Sequence, residues 1–233
     1  MSRVVIFGGT TEGREAAAAH LQAGDDVTVC VASDYARKLL PPGVRCLVRP
    51  LDRTEMTAFL RGEDPDLVLD ATHPFAVRAR ENIRWASAHA GVRLIRKTRA
   101  GGESAGWADA VQWTPDAQAA AEGLRGTEGN VLLTTGSHTL STYLSAVPPE
   151  RIYVRVLPDP AVLKGCEALG LPPGHVIAMQ GPFSRALNAA LYDAWAIRVL
   201  VTKDSGEIGG VTDKVAPALE RDIHVILIKR PED

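Results

Sequence analysis

The chain has 233 residues, 45% of them apolar and 23% charged, with a formal charge of −2. That is an ordinary globular composition, enough for one large domain or two small ones. It excludes a protein built to neutralise a nucleic-acid backbone, a disulfide framework or zinc site on three scattered cysteines, and a membrane-spanning segment.

The run Val4-Val5-Ile6-Phe7 reads as a buried parallel strand and not as a signal peptide, so the expected compartment is the reducing cytoplasm. Gly8-Gly9 stops the strand. Thr10 and Thr11 then precede Glu12, Gly13 and an alanine-rich helix to Leu21. Either threonine can cap that helix, and Glu12 or Glu15 suits its first turn. A strand, a glycine turn and a helix N-terminus form an anion site whose usual occupant is a dinucleotide pyrophosphate. Gly8 and Gly13 match the first and third glycines of G-x-G-x-x-G, Thr10 stands at the second, and Gly9 is displaced by one. There a threonine hydroxyl can donate to phosphate. A turn that binds nothing would need the same small residues.

The second strand covers 27–32 and ends at Ser33-Asp34. An acid at that point bonds the adenosine ribose, and Asp34 lies about 20 residues past the glycine turn. It would repel a 2′-phosphate, favouring NADH over NADPH, while Arg37 and Lys38 nearby could reverse the preference. Asp34 also suits a helix N-cap. A third strand spans 44–48, and Thr54 can cap a helix through Leu60. The fourth strand, 67–70, runs into Ala71-Thr72-His73-Pro74 at the carboxyl rim, where open α/β sheets bind ligands. Thr72 can bond a ribose or a phosphate. His73, held extended by Pro74, can bond substrate, act as an acid or serve as a structural hydrogen-bonding group. A helix over 77–90 and a strand over 92–95 complete a doubly wound parallel sheet.

The glycine-rich stretch 97–108 reads as the crossing into a second lobe. Strands at 110–113, 130–134, 151–157, 176–179, 198–202 and 224–228 alternate with helices. Three of their ends are small and polar: Thr135-Gly136-Ser137 before a helix over 139–146, Gly181-Pro182-Phe183-Ser184 before a helix over 185–195, and Lys203-Asp204-Ser205-Gly206 with Gly209-Gly210 beyond. The first repeats the N-terminal device and makes a second anion-ready rim. With Arg185 and Lys214 nearby, these groups suit a multiply carboxylated ligand in a cleft between lobes. Lys203-Asp204 can equally be a local ion pair, and Gly209-Gly210 a plain turn.

Gly8-Gly9-Thr10-Thr11-Glu12-Gly13-Arg14-Glu15, Asp70-Ala71-Thr72-His73-Pro74-Phe75-Ala76, Thr134-Thr135-Gly136-Ser137, Gly181-Pro182-Phe183-Ser184 and Thr202-Lys203-Asp204-Ser205-Gly206 occur in that order. Together they resemble the precorrin-6A reductase family of cobalamin biosynthesis over nearly the whole chain. The resemblance implies two Rossmann-like lobes with parallel sheets flanked by helices and a cleft between them: a dinucleotide-binding domain at 1–98 and a second α/β domain at 99–233. It implies NADH or NADPH as cofactor, a tetrapyrrole substrate, and hydride transfer to a macrocycle double bond with a proton added at the adjacent carbon. The family has an oxygen-dependent branch using NADPH on metal-free precorrin-6A and an anaerobic branch using NADH on cobalt-precorrin-6A. Cys30-Val31-Ala32-Ser33-Asp34-Tyr35 replaces the Ser-Leu-Ala-Gly-Arg typical of the first, and Leu51-Asp52 stands where that branch is glycine-rich. Both departures favour the cobalt branch.

On this basis Gly8, Gly9, Thr10, Thr11, Glu12, Gly13, Ser33, Asp34 and Thr72 are expected to bind cofactor. Thr135, Gly136, Ser137, Ser184, Lys203, Asp204 and Ser205 are expected to bind substrate. His73, Lys203 or a bound water would supply the proton, and no resident metal is expected. Two other readings stand beside this one. One is another small reductase or epimerase on the same nucleotide-binding half; of these the short-chain dehydrogenases carry Tyr-x-x-x-Lys, and none of the four tyrosines is followed by lysine at that spacing. A non-catalytic NADH-binding redox sensor would need no second ligand rim.

Overall fold

Strand β1 (Arg3–Phe7) is buried from its second residue onward, as an unbroken apolar run without polar alternation requires. It pairs in parallel with β2 (Asp26–Val31) and β4 (Leu67–Asp70). With β3 (Arg45–Val48) and β5 (Leu94–Arg96) they form a five-stranded parallel sheet in the order β3-β2-β1-β4-β5. Val4 and Ile6 cluster with Val27, Val29, Leu69 and with Ala17 of α1 (Thr11–Gln22) on one side. Val5 and Phe7 cluster with Val68, with Leu60 of α3 (Arg53–Glu63) and with Ile83 of α4 (Val77–Ala90) on the other. Phe7 lies opposite both Cys30 and Asp70, so the segments leaving β1, β2 and β4 emerge at one rim. Cys30 is a core residue, and burial pushes its thiol up to about 12.

This computed structural model describes residues 1–97 and 106–231, and the chain divides into two compact units, Met1–Thr98 and Arg99–Asp233. Most of the glycine-rich crossing expected at 97–108 lies outside the described residues.

The second unit runs β6 (Gln112–Thr114), α5 (Ala117–Leu124), β7 (Asn130–Leu133), α6 (Leu140–Leu144), β8 (Ile152–Val156), α7 (Pro160–Ala168), β9 (Val176–Ala178), α8 (Arg185–Ala194), β10 (Ile197–Lys203), α9 (Val211–Leu219) and β11 (His224–Ile228). Its six parallel strands lie in the order β6-β11-β10-β7-β8-β9. From β7 onward this is β9-β8-β7-β10-β11, the first unit's order again, with β6 added at the edge. Leu132, Leu200, Val225 and Leu227 cluster with Tyr192 of α8 and with Val211 and Val215 of α9. The expected parallel sheets flanked by helices are thus present.

Several helix starts differ from expectation. Asp52, not Thr54, caps α3, in a capping box with Glu55; it reaches the third amide of the helix while Glu55 reaches back. Ser33, not Asp34, caps the one-turn helix α2 (Asp34–Arg37). In place of the expected helix over 139–146, α6 is only five residues long behind a 3-10 turn over Ser137–Thr139.

Candidate functional site

Each sheet presents a rim where its strand order reverses, between β1 and β4 in the first unit and between β7 and β10 in the second. In doubly wound sheets ligands bind at such switch points.

At the first rim Gly8 has φ +124°, and a Cβ there would stand 2.5 Å from the carbonyl oxygen of Ala71. A Cβ on Gly13 would stand 2.4 Å from the Gly8 carbonyl. The two glycines therefore let the turn pass against the end of β4 and let α1 start directly behind it. Thr10 caps α1: its hydroxyl oxygen accepts from the Gly13 amide at 3.2 Å, and its proton goes to the Ala71 carbonyl at 2.8 Å. That corrects the expectation of a Thr10 hydroxyl donating to phosphate, because the proton is already committed. Backbone amides at the N-terminus of α1 take over that role, the Gly13 amide being already bonded to Thr10. Thr11 and Glu12 open that helix and Gly9 precedes it. Arg14 lies across the turn, its guanidinium donating to the Gly9 carbonyl at 2.9 Å and to Thr11 Oγ1 at 3.2 Å. It brings a cation to the anion-ready amides, and sequence reasoning did not single it out.

Ser33 and Asp34 follow β2 at the same rim, and the exposed Asp34 carboxylate pairs with Arg37 at 2.9 Å. Past β4, the Thr72 amide and hydroxyl both donate to Asp70 Oδ1, at 3.0 and 2.6 Å. Thr72 can then accept from a ribose hydroxyl, but its proton does not reach a phosphate. The guanidinium of Arg96 lies 3.7 Å from the other Asp70 oxygen. His73 accepts from the Phe75 amide at Nδ1, 3.3 Å away, so its neutral ring carries the proton on Nε2.

The second rim repeats part of this design. Asp204, 2% exposed, accepts from the Gly206 amide two residues on at 3.3 Å, and Arg230, beyond β11, lies 3.8 Å from it. Asp70 and Asp204 thus form the same side-chain turn at corresponding strand ends, one beside Arg96 on β5 and the other beside Arg230 just past β11. Lys203 donates to the Thr135 carbonyl at 2.7 Å and so bridges β10 to the turn after β7. Burial holds its ammonium below the ordinary lysine range. Of the expected substrate residues, Gly136 and Ser184 are exposed and Ser137 and Lys203 half-buried, whereas the Thr135, Asp204 and Ser205 side chains are turned inward. Thr135 accepts from Thr139, Asp204 holds its own turn, and Ser205 donates to the Gly209 carbonyl at 3.1 Å. These three build the rim, and a buried carboxylate such as Asp204 repels a carboxylated ligand. Ser184 caps α8 through the Leu187 amide. The expected second anion site on α6 is weakened, since a five-residue helix has little dipole to offer.

Beneath this rim lie two cations, Arg155 on β8, which the sequence did not reveal, and Lys214 on α9. Arg155 donates to Asn188 Oδ1 at 2.7 Å and lies 3.9 Å over the Phe183 ring; burial pulls it down to about 10. Asn188, fully buried, donates to the carbonyls of Phe183, Ser184 and Asp213. Lys214 donates to Ser205 Oγ at 3.3 Å. Burial first, then the Arg155 charge, push it down to about 7 against the pull of Asp204. The available signals were a charged residue at an inward position of a strand and an asparagine sharing the face of Leu191 and Tyr192. Among the described residues no metal-holding cluster occurs and no helix is long and apolar enough to cross a membrane.

Residues 3–233 match the family described as Precorrin-6x reductase CbiJ/CobK. The cobalt-precorrin-6A reductase of Priestia megaterium is 34% identical over 233 residues, covering 98% of this chain and 91% of its own. That of Salmonella typhimurium is 34% identical over 231 residues, covering 98% and 87%. A solved structure titled CobK precorrin-6A reductase superposes with a TM-score of 0.81 at 26% identity, over 100% of this chain and 89% of that one.

Proposed function

We propose, for a chain that belongs to the precorrin-6x reductase family, that it takes a reduced nicotinamide dinucleotide, NADH before NADPH, and converts cobalt-precorrin-6A to cobalt-precorrin-6B. The coarser activity is the family's own: an oxidoreductase reducing a carbon–carbon double bond of precorrin-6A in cobalamin biosynthesis. Membership of an enzyme family over almost the full length disfavours the non-catalytic sensor.

What supports the cofactor assignment is the turn between β1 and α1, where glycines, the N-terminus of the twelve-residue α1 and Arg14 converge. This donor set fits a pyrophosphate. When bound, the dinucleotide supplies the hydride. Ser33 and Asp34 would hold the ribose, and Asp34 supports NADH in two ways: it repels a 2′-phosphate, and it neutralises Arg37, the nearby cation that would otherwise attract one. Thr72 would accept from a ribose hydroxyl.

For the substrate, Gly136, Ser137, Ser184 and Lys203 offer donors to carboxylates. Leu157, Met179 and Ile208, which follow β8, β9 and β10, are 45%, 38% and 55% exposed. Large apolar side chains left in water at one sheet rim suit the face of a macrocycle. Two side chains can deliver the proton. Lys203 does so because burial weakens its hold on it. His73 does so from Nε2, oriented by the Phe75 amide.

Anaerobic absorbance spectroscopy tests this with cobalt-precorrin-6A and metal-free precorrin-6A, each with NADH and NADPH. The expected result is a reduced-macrocycle spectrum with matching cofactor loss, fastest for cobalt-precorrin-6A with NADH. A faster reaction of the metal-free substrate with NADPH overturns the branch, and no change in any mixture overturns the reductase. Turnover that survives His73→Ala but not Lys203→Met assigns the proton to the lysine.

A further inference from the structure

Lys214 is 8% exposed, and among the described residues no carboxylate lies within 4.0 Å of it or of Arg155. A buried ammonium with a hydroxyl for its partner is costly. Its helix is anchored twice: Asn188 donates to the Asp213 carbonyl at 3.0 Å, and the Tyr192 hydroxyl donates to the Lys214 carbonyl at 2.9 Å. From that base the side chain reaches the turn after β10. The bonds run in one direction, Lys214 Nζ to Ser205 Oγ and Ser205 to the Gly209 carbonyl. They brace the segment between Lys203 and Gly210 from behind.

The direction depends on a proton. An ammonium only donates, so Ser205 must accept from it and send its own proton to Gly209. A neutral amine also accepts, so Ser205 can turn its proton to Lys214 and release the Gly209 carbonyl.

We propose that Lys214 is a positioning residue which, in its protonated form, locks the Lys203-Asp204-Ser205 turn through Ser205, and that loss of its proton loosens substrate binding at this rim. The substrate part rests on the reductase assignment above. The charged and titratable groups facing Lys214 are Arg155 from β8, which disfavours the proton, and Asp204 from the end of β10, which favours it. Tyr192 from α8 stays protonated, because burial raises it far above neutrality. Glu207 at the tip of the turn is exposed and bonded to Thr212. Burial together with these charges places the change near neutral pH.

The test follows KM for cobalt-precorrin-6A, kcat and the NADH Kd from pH 6 to pH 9, in wild type, Lys214→Met, Lys214→Arg and Ser205→Ala. The Gly206 and Gly209 amide ¹⁵N shifts are followed over the same range. Loss of one hydrogen bond of this kind is worth about fivefold. Wild-type KM is expected to rise by about fivefold across the range with the NADH Kd unchanged. Lys214→Met should hold the high-pH value throughout, Lys214→Arg should hold the low-pH value, and Ser205→Ala should abolish the dependence. The glycine shifts should titrate in wild type and stay flat in Lys214→Met. Glycine shifts that titrate identically in wild type and Lys214→Met overturn the proposal whether or not the enzyme turns over. A wild type inactive with every macrocycle but with shifts titrating through Lys214 instead overturns the reductase assignment and leaves the lock standing.

Discussion

At the switch point of the first sheet, a twelve-residue helix starts behind Gly8 and Gly13 with Thr10 as its cap. At the corresponding point of the second, a 3-10 turn leads into a five-residue helix, and Lys203 ties β10 to the turn after β7. The strand order is the same, and so is the aspartate turn that closes β4 and β10. The first rim therefore offers backbone amides and a helix dipole, the material for a pyrophosphate. The second offers the half-buried Lys203, hydroxyls and exposed apolar groups. Topology places a rim, but helix length and buried side chains decide what it can hold.

The contrast breaks most visibly at the glycines. Gly8→Ala puts a Cβ into the Ala71 carbonyl at φ +124° and is expected to destabilise the protein by about 3 kcal/mol and cut dinucleotide affinity by more than about 100-fold. Gly136→Ala, at φ +83° with open space around it, should cost about 1 kcal/mol and leave dinucleotide affinity alone. Thermal unfolding and fluorescence titration with NADH measure both, and equal effects would erase the distinction between the rims.

The second unit should be more vulnerable in its interior. Asn188→Ala leaves Arg155 without its oxygen acceptor and takes the side-chain donor from the Phe183 and Asp213 carbonyls. The expected loss is about 2–3 kcal/mol in urea unfolding, with dinucleotide affinity kept. Lys214 adds a pH signature of definite sign. Its folded pKa, about 7, lies below the ordinary lysine value of 10.5, so between those values the unfolded chain binds the extra proton and stability rises with pH. In Lys214→Met that rise should disappear from a series of unfolding curves, while a persistent rise would assign it elsewhere.

Smaller changes sharpen the first rim. Asp34→Asn removes the carboxylate that pairs with Arg37 and should raise the NADPH-to-NADH ratio of kcat/KM by about tenfold, or about 1.4 kcal/mol. Thr10→Ala loses the cap and the tie to Ala71 and should cost about 1 kcal/mol by thermal unfolding.

Much of this was legible beforehand because it is local. Val4 to Phe7 reads as a strand buried on both faces, Gly8 to Gly13 as a tight strand-to-helix turn, and the residues after Ser184 as a helix. The caps that were misplaced, Asp52 and Ser33, lie within two residues of the expected ones, where several side chains compete and only backbone geometry chooses. Which rim residues face outward was less legible. Thr135, Asp204 and Ser205 have the composition of ligand-binding groups, yet their partners turn them inward.

The sequence by itself determined the alternation of strands and helices, the glycine turn and the family, since each rests on neighbours in the chain and on the short-range physics of backbone sterics and hydrogen bonding. Only the tertiary structure decided that Arg155, Asn188, Ser205 and Lys214 form one buried network, and that a lysine in it holds its proton weakly. Those residues come from different elements of the second unit, and the desolvation and charge that govern them exist only once the fold has removed the water between them.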